Sequence, residues 1–254
     1  MIPGSIISVF GPTSAVAQQG LILNIDAGNP DSYPGTGTTW FDLSSSGLNG
    51  LLTNGASYDS ADGGSIEFDG NNDRVIFGSA GGTLINGLSQ LTIEIWFNSD
   101  VINNNRGLIR CDSNHNSDTG FSLRYDSSGS GGGGASVIKT AFGTEGDNNN
   151  STVLESSSFI QTSNTWTCIA VTCDVGTSIA LYKNGALDTP TNVNLGGSVV
   201  SGCNALDIGR GPTIPFSSDN NWDGNISIFR IYNRLLTTGE ISGNYNTVKQ
   251  RYGL

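Results

Sequence analysis

The last thirty-three residues, WDGNISIFRIYNRLLTTGEISGNYNTVKQRYGL (Trp222 to Leu254), limit the possible folds more than any other stretch of this chain. Ile226 and Ile228 fall on one face of an extended segment, Phe229 and Ile231 on the other. Apolar side chains on both faces predict an inner strand of a packed sheet. Thr237-Thr238-Gly239-Glu240 then fits a capping box, in which each side chain satisfies a free backbone N–H of the first helical turn. Ile241, Tyr245 and Val248 follow at helical spacing, and Gly253 closes the helix. The pattern predicts a helix over about residues 238–250, entered directly from a buried strand.

Elsewhere the signals are those of β structure. The 36 glycines and abundant Ser, Thr and Asn separate short apolar runs, and long helix-forming periods are missing. Leu21–Ile25, a segment around Leu51, Ser65–Phe68, Leu91–Phe97 and Trp166–Val171 read as strands. Asn184-Gly185 between two apolar runs predicts a hairpin with a type I′ turn. The run SSGSGGGGAS at 127–136 lacks the Gly-Lys-Ser/Thr of a phosphate cradle and reads as a flexible hairpin loop. A net charge of −11, with no Lys/Arg cluster in the sequence, excludes a nucleic-acid partner. No apolar run reaches the roughly 20 residues needed to span a membrane. Cys111, Cys168, Cys173 and Cys203 lack the close pairing of a metal site and read as buried thiols. Cys168 and Cys173 point to opposite faces of one strand.

Three motifs then occur in order. Ile25-Asp26-Ala27 opens the domain; Trp40-Phe41-Asp42-Leu43-Ser44 begins a polar loop; Phe68-Asp69-Gly70 with Asp73 precedes a strand. Together with the IYNRLL…EI…NYN…RYGL ending, they resemble the laminin-G-like, concanavalin-A-like jelly-roll domains, in the subgroup found in tailed-phage structural proteins. The resemblance covers roughly residues 20 to 254. It implies an all-β, two-sheet antiparallel jelly-roll sandwich with one short C-terminal helix. It also implies two units, an N-terminal arm over 1–19 and the jelly roll over 20–254.

Catalysis is not expected. Retaining glucanases of this fold carry Glu-x-Asp-x-x-Glu on one strand face. None of the five glutamates here (67, 94, 145, 155 and 240) has acidic partners at those offsets. Glu94 is expected to point off its strand toward solvent or a local hydrogen bond, and His115, the only histidine, sits in a polar loop. No cofactor or metal is expected. Asp112, Asn114, Asn116 and Asp118 alternate as in a calcium loop, but Ser117 and Leu123 replace its Gly and Glu. Asp26, Asp69 and Asp73 match positions of the laminin-G-like subgroup, some members of which hold calcium. Ser227-Ile228 stands where many relatives carry Asp-Glu. Carbohydrate-binding residues are not identified by sequence; Tyr33, Trp40 and Trp222 are the only reasonable aromatic platforms, and because they fall in motif positions, packing explains them at least as well.

The segment MIPGSIISVFGPTSAVAQQ has no Lys or Arg before its apolar stretch and is interrupted by Pro3, Gly4, Gly11 and Pro12. It reads as an arm rather than a cleaved signal, with Ile2, Ile6, Ile7, Val9 and Phe10 as docking side chains. The resemblance implies a non-catalytic virion structural protein: a capsid decoration, fibre or appendage subunit. Its expected partners are other virion proteins or copies of itself in a symmetric array. The alternative is a lectin module that recognises host-surface glycans.

Overall fold

The computed structural model describes residues 15–101, 106–111, 120–126, 137–144, 147–155, 163–191, 199–210 and 221–254. The short apolar runs become strands β1 (Leu21–Asp26), β2 (Thr39–Trp40), β3 (Gly50–Thr53), β4 (Ser57–Asp59), β5 (Ser65–Asp69) and β6 (Arg74–Phe77). A helix α1 (Gly78–Ile85) leads into β7 (Gln90–Ser99), β8 (Arg106–Arg110), β9 (Phe121–Asp126), β10 (Val137–Thr144) and β11 (Asp147–Glu155). Then come β12 (Thr167–Asp174), β13 (Ser178–Lys183), β14 (Ala186–Thr191), β15 (Leu206–Ile208) and β16 (Asp223–Tyr232). The chain ends in helix α2 (Thr238–Val248) and a 3₁₀ turn over Lys249–Tyr252.

Two sheets stack as a jelly-roll sandwich. The first has the order β14-β13-β12-β7-β16-β5-β4, with β1 lying along β16; the second runs β11-β10-β9-β8-β15-β6-β3-β2. The described strand pairings are antiparallel, as expected from the sequence. Alternation sets the core. Leu91, Ile93, Ile95 and Phe97 of β7 and Ile169, Val171 and Cys173 of β12 face the second sheet, against Ile109, Leu123, Leu206 and Ile208. The other face of these strands is buried too, which explains their continuous apolar runs. There Leu21, Ala170, Tyr182 and Tyr232 meet Leu236 and Ile241, while Trp96, Cys168 and Ile228 meet Val248 and Tyr252. Helix α2 and the tail thus form a third layer on the first sheet.

The expected capping box is present. The Glu240 N–H donates to Thr237 Oγ1 at 3.2 Å, and the Thr237 N–H donates to Glu240 Oε2 at 2.8 Å. The hairpin turn also matches its sequence signal, with φ of 50° at Asn184 and 76° at Gly185. All four cysteines are free and buried, with Cys173 facing the core and Cys168 facing α2.

Two expectations need correction. Ile226 and Ile228 do not share a face. The pairing with β7 shifts register between them, so Ile226 joins the core with Phe229 and Ile231 while Ile228 faces α2. A bulge of this kind leaves no mark in the apolar periodicity. Helix α1, whose sequence is GSAGGTLI, was not foreseen either. Its buried residues are Gly81, Gly82 and Ile85, so it has no apolar stripe to read and is held by the packing of Ile85 into the core.

Candidate functional site

The outer face of the first sheet is covered by α2 and the tail over β1, β7, β12, β13 and β16. Glu94, expected at solvent or in a local hydrogen bond, is 1 % exposed and hydrogen-bonded because α2 lies over it. Arg230 on the neighbouring β16 ion-pairs with Glu94 Oε1, and Asn244 of α2 donates to Glu94 Oε2 at 2.9 Å. Arg230 Nε also donates to Asn24 at 3.1 Å, and Asn244 Nδ2 donates to the Tyr232 hydroxyl at 3.0 Å. A buried charge pair needs this full set of hydrogen bonds. Burial and the Glu94 charge push the Tyr232 phenol well above its usual range. Burial, followed by Glu94, likewise raises the Cys168 thiol, and Cys173 is pushed up to about 12. Neither is primed as a nucleophile.

Beside this network Trp96 stacks on Tyr245 (5.4 Å between centroids) and on Tyr252 (4.8 Å), and Trp166 packs against Tyr252 at 4.4 Å. The tail is fixed by Arg251, which donates to both oxygens of Asp26 at 2.6 and 3.0 Å. Gly28 permits that approach: a Cβ there would overlap the Gly63 carbonyl and the Arg251 guanidinium.

The three motif aspartates therefore do not converge. Asp26 is held by Arg251. Asp73 Oδ2 accepts from the Asp69 N–H at 3.1 Å, and Asp69 Oδ1 accepts from the Asn71 N–H at 2.9 Å. Burial first, and the Asp69 charge in addition, raise the Asp73 carboxyl above its usual range. Among the described residues there is no group of three or more His, Cys, Asp or Glu that could hold a metal. The calcium-like run Asp112–Asp118, His115 and the glycine run 127–136 lie outside the described residues. So do Ile2, Ile6, Ile7, Val9 and Phe10 of the arm. The root of the arm is described: Ala17 packs against α2's apolar cluster, and its N–H donates to Asn244 Oδ1 at 2.8 Å.

For the three candidate aromatics the structure decides in favour of packing. Trp40 and Trp222 are 0 % exposed and Tyr33 is 3 % exposed, all within the core between the sheets. The alternation that brings Trp40 inward turns its neighbour Phe41 outward, 41 % exposed. Asp42 then ties down the loop. Its Oδ1 accepts from the N–H groups of Asn24 (2.8 Å) and Ser44 (2.9 Å). Its Oδ2 accepts from the Ser44 and Ser46 hydroxyls (both 2.7 Å) and the Leu48 N–H (3.0 Å).

The second sheet has a different outward face. No described helix lies on it. Register places Leu51 opposite Ile76, Ile76 opposite Asp207, Asp207 opposite Arg110, and Arg110 opposite Ser122. Their strand neighbours Leu52, Val75, Ile208, Ile109 and Leu123 face the core, so this row faces away from it. One end is apolar, with Leu51 48 % exposed; the polar centre of Arg110, Ser122 and Asp207 is buried. Arg210 approaches Asp207 at 3.8 Å. None of these residues stood out in the sequence. Arg110, Ser122 and Asp207 are each short-range unremarkable, and only the strand order β9-β8-β15-β6-β3 aligns them. The available signal was a polar residue at every second position of a strand.

The family can now be stated. A family model described as the concanavalin A-like lectin/glucanases superfamily matches residues 69–242. The chain belongs to this superfamily. Among solved structures it is similar to the binding domain of botulinum neurotoxin DC in complex with SialylT, with TM-score 0.65 and 14 % identity over 91 % of this chain and 52 % of that one. It is also similar to a botulinum neurotoxin type C structure reported for cell entry dependent on two ganglioside molecules, with TM-score 0.65, 17 % identity, and coverage of 90 % and 51 %. A type G receptor-binding domain matches with TM-score 0.59 and 17 % identity over 90 % of this chain and 51 % of that one. The chain thus spans about half the length of these toxin chains, and at such identities the likeness is one of superfamily fold. No curated protein matches the sequence.

Proposed function

We propose that this chain is a non-catalytic carbohydrate-binding module that uses the outward face of its second sheet. The carrying observation is the row Leu51, Ile76, Asp207, Arg110, Ser122. It sets an apolar surface beside hydrogen-bonding side chains on the sheet face that no described helix covers. A pyranose presents the same pairing, an apolar ring face with hydroxyls at its edge. The first sheet cannot serve, because α2 and the tail occupy its outer face. That a similarly folded toxin depends on gangliosides for entry agrees with the reading, although fold alone does not establish function.

A second reading, a subunit attached to a larger particle, is favoured by the placement of the arm's root. Ala17 sits on the α2 side, opposite the proposed binding face, so attachment by the arm would leave that face turned outward. Saccharide-array screening followed by titration separates the two. The expected result is saturable binding to at least one glycan, abolished by Asp207→Asn while circular dichroism reports an intact fold. A purely structural subunit gives no saturable binding.

A further inference from the structure

We infer that the glycan recognised by this face is acidic, bearing carboxylate or sulfate groups that engage arginines gathered there by the sheet register; this rests on the carbohydrate reading above. The protein as a whole is anionic, with 22 Asp plus Glu against 11 Lys plus Arg. Most of such a surface repels a polyanion. Its arginines are not spread evenly, however. Arg110 pairs with Asp207 across the strands, and Arg124 lies two residues from Ser122, the other partner of Arg110. Arg74 alternates with Ile76 on β6 and so faces the same way, while Arg210 reaches Asp207 at 3.8 Å. Four of the chain's eight arginines therefore lie on the outward side of one sheet, Arg110 and Arg124 buried within it and Arg74 and Arg210 partly exposed.

The other four are committed to structure. Arg106 donates to the Gly70 and Asn221 carbonyls at 3.0 Å and to Asp223 at 3.2 Å. Arg230 holds Glu94, Arg234 holds Glu240 at 2.6 Å, and Arg251 holds Asp26 at 2.6 Å. Arg74 is half-buried, and its Nε–H, like that of Arg106, is buried without an acceptor. A buried guanidinium N–H left unpaired is costly, and a ligand oxyanion would satisfy it. Guanidinium groups accept carboxylate or sulfate through paired N–H donors, a geometry that lysine does not offer. Arg74 and Arg210 are both partly exposed; antiparallel register brings Arg74 beside the end of β15 that leads to Arg210, and they are the accessible pair.

The test is titration calorimetry with three hexasaccharides: an oligogalacturonate, a chondroitin sulfate and a neutral cello-oligosaccharide. At least one acidic probe should bind more tightly than the neutral one. That preference should fall at about 1 M salt, where screening acts within about 3 Å. Arg74→Gln and Arg210→Gln should each weaken the acidic probe about tenfold or more, while binding of the neutral probe and thermal stability stay unchanged. The carboxylate and sulfate arms identify which anion is read. Equal affinity for acidic and neutral probes, or no effect of either substitution, overturns the inference and leaves the carbohydrate reading standing. No binding of either acidic probe also overturns the inference, and the carbohydrate reading is then decided by the saccharide array.

Discussion

Asp42 shows how a polar residue on the rim can organise more structure than most core residues. Its two oxygens accept five hydrogen bonds from Asn24, Ser44, Ser46 and Leu48, closing the loop after β2 and fixing it to β1. Charge-assisted bonds of this kind are the strong ones, and leaving their donors unpaired adds to the loss. Asp42→Ala is expected to lower stability by about 2 kcal/mol, with faster amide exchange confined to residues 41–49 and β1. Hydrogen exchange by mass spectrometry checks this; unchanged protection would mean the loop holds without its hub. The sequence motif Trp-x-Asp-x-Ser was legible as a motif, but its chemistry was not. A carboxylate that ties its own loop and one that awaits a ligand look the same in one dimension. The same ambiguity left Trp40 and Tyr33 undecided, since an aromatic ring beside a polar loop fits a stacking platform and a core plug equally well.

The last helix was the most readable element, because its signals are local. A capping box needs only residues i to i+3, and the apolar spacing of Ile241, Tyr245 and Val248 needs only the helical period. Thr237→Ala should cost about 1 kcal/mol. The cap also carries a pH dependence. Hydrogen bonds from Arg234, then from the Thr237 backbone and hydroxyl, hold the Glu240 carboxyl down to about 2 from an ordinary value of 4.5. A depressed carboxylate contributes stability above its ordinary value and loses it as the pH falls toward the folded one. The melting-temperature difference between wild type and Glu240→Gln should therefore be constant above about pH 5 and vanish as the pH falls from about 4.5 to 2. A difference that persists at pH 2 would show that Glu240 acts through packing alone. By contrast, α1 and the bulge in β16 were hidden because tertiary contacts make them. Ile85 has value only once the core exists, and the register shift between Ile226 and Ile228 answers to β7.

At the scale of the molecule, the layer count was legible and the covering of the first sheet was not. Continuous apolar runs in β7, β12 and β16 announce burial on both faces, yet they do not say that α2 supplies the second cover. The choice between solvent and a hydrogen bond for Glu94 stayed open for that reason. The outward row of the second sheet depends on which strands are neighbours, and that information is spread over more than 150 residues, from Leu51 to Asp207. The tail latch belongs to the same scale. Arg251 is separated from Asp26 by 225 positions and binds both of its oxygens in a partly buried site. Arg251→Ala should cost about 2 to 3 kcal/mol, because it strands the Asp26 carboxylate. Adding Asp26→Ala should recover part of that loss, and urea unfolding of the double mutant reads it directly. Simple addition of the two losses would show that the pair is not coupled.

The joining of the chain's two ends also bears on how the protein is made. β1 pairs with β16, Ala17 with Asn244, and Asp26 with Arg251. At roughly 5–20 residues per second, β1 waits on the order of ten to forty seconds for its partner strand to be synthesised. Throughout that interval a strand of LILNID presents an unpaired edge to a crowded cytosol or to a neighbouring nascent copy. A second chain's β16 fits that edge as well as the chain's own, so the seam that seals the finished domain is also the place where two unfinished ones would exchange strands.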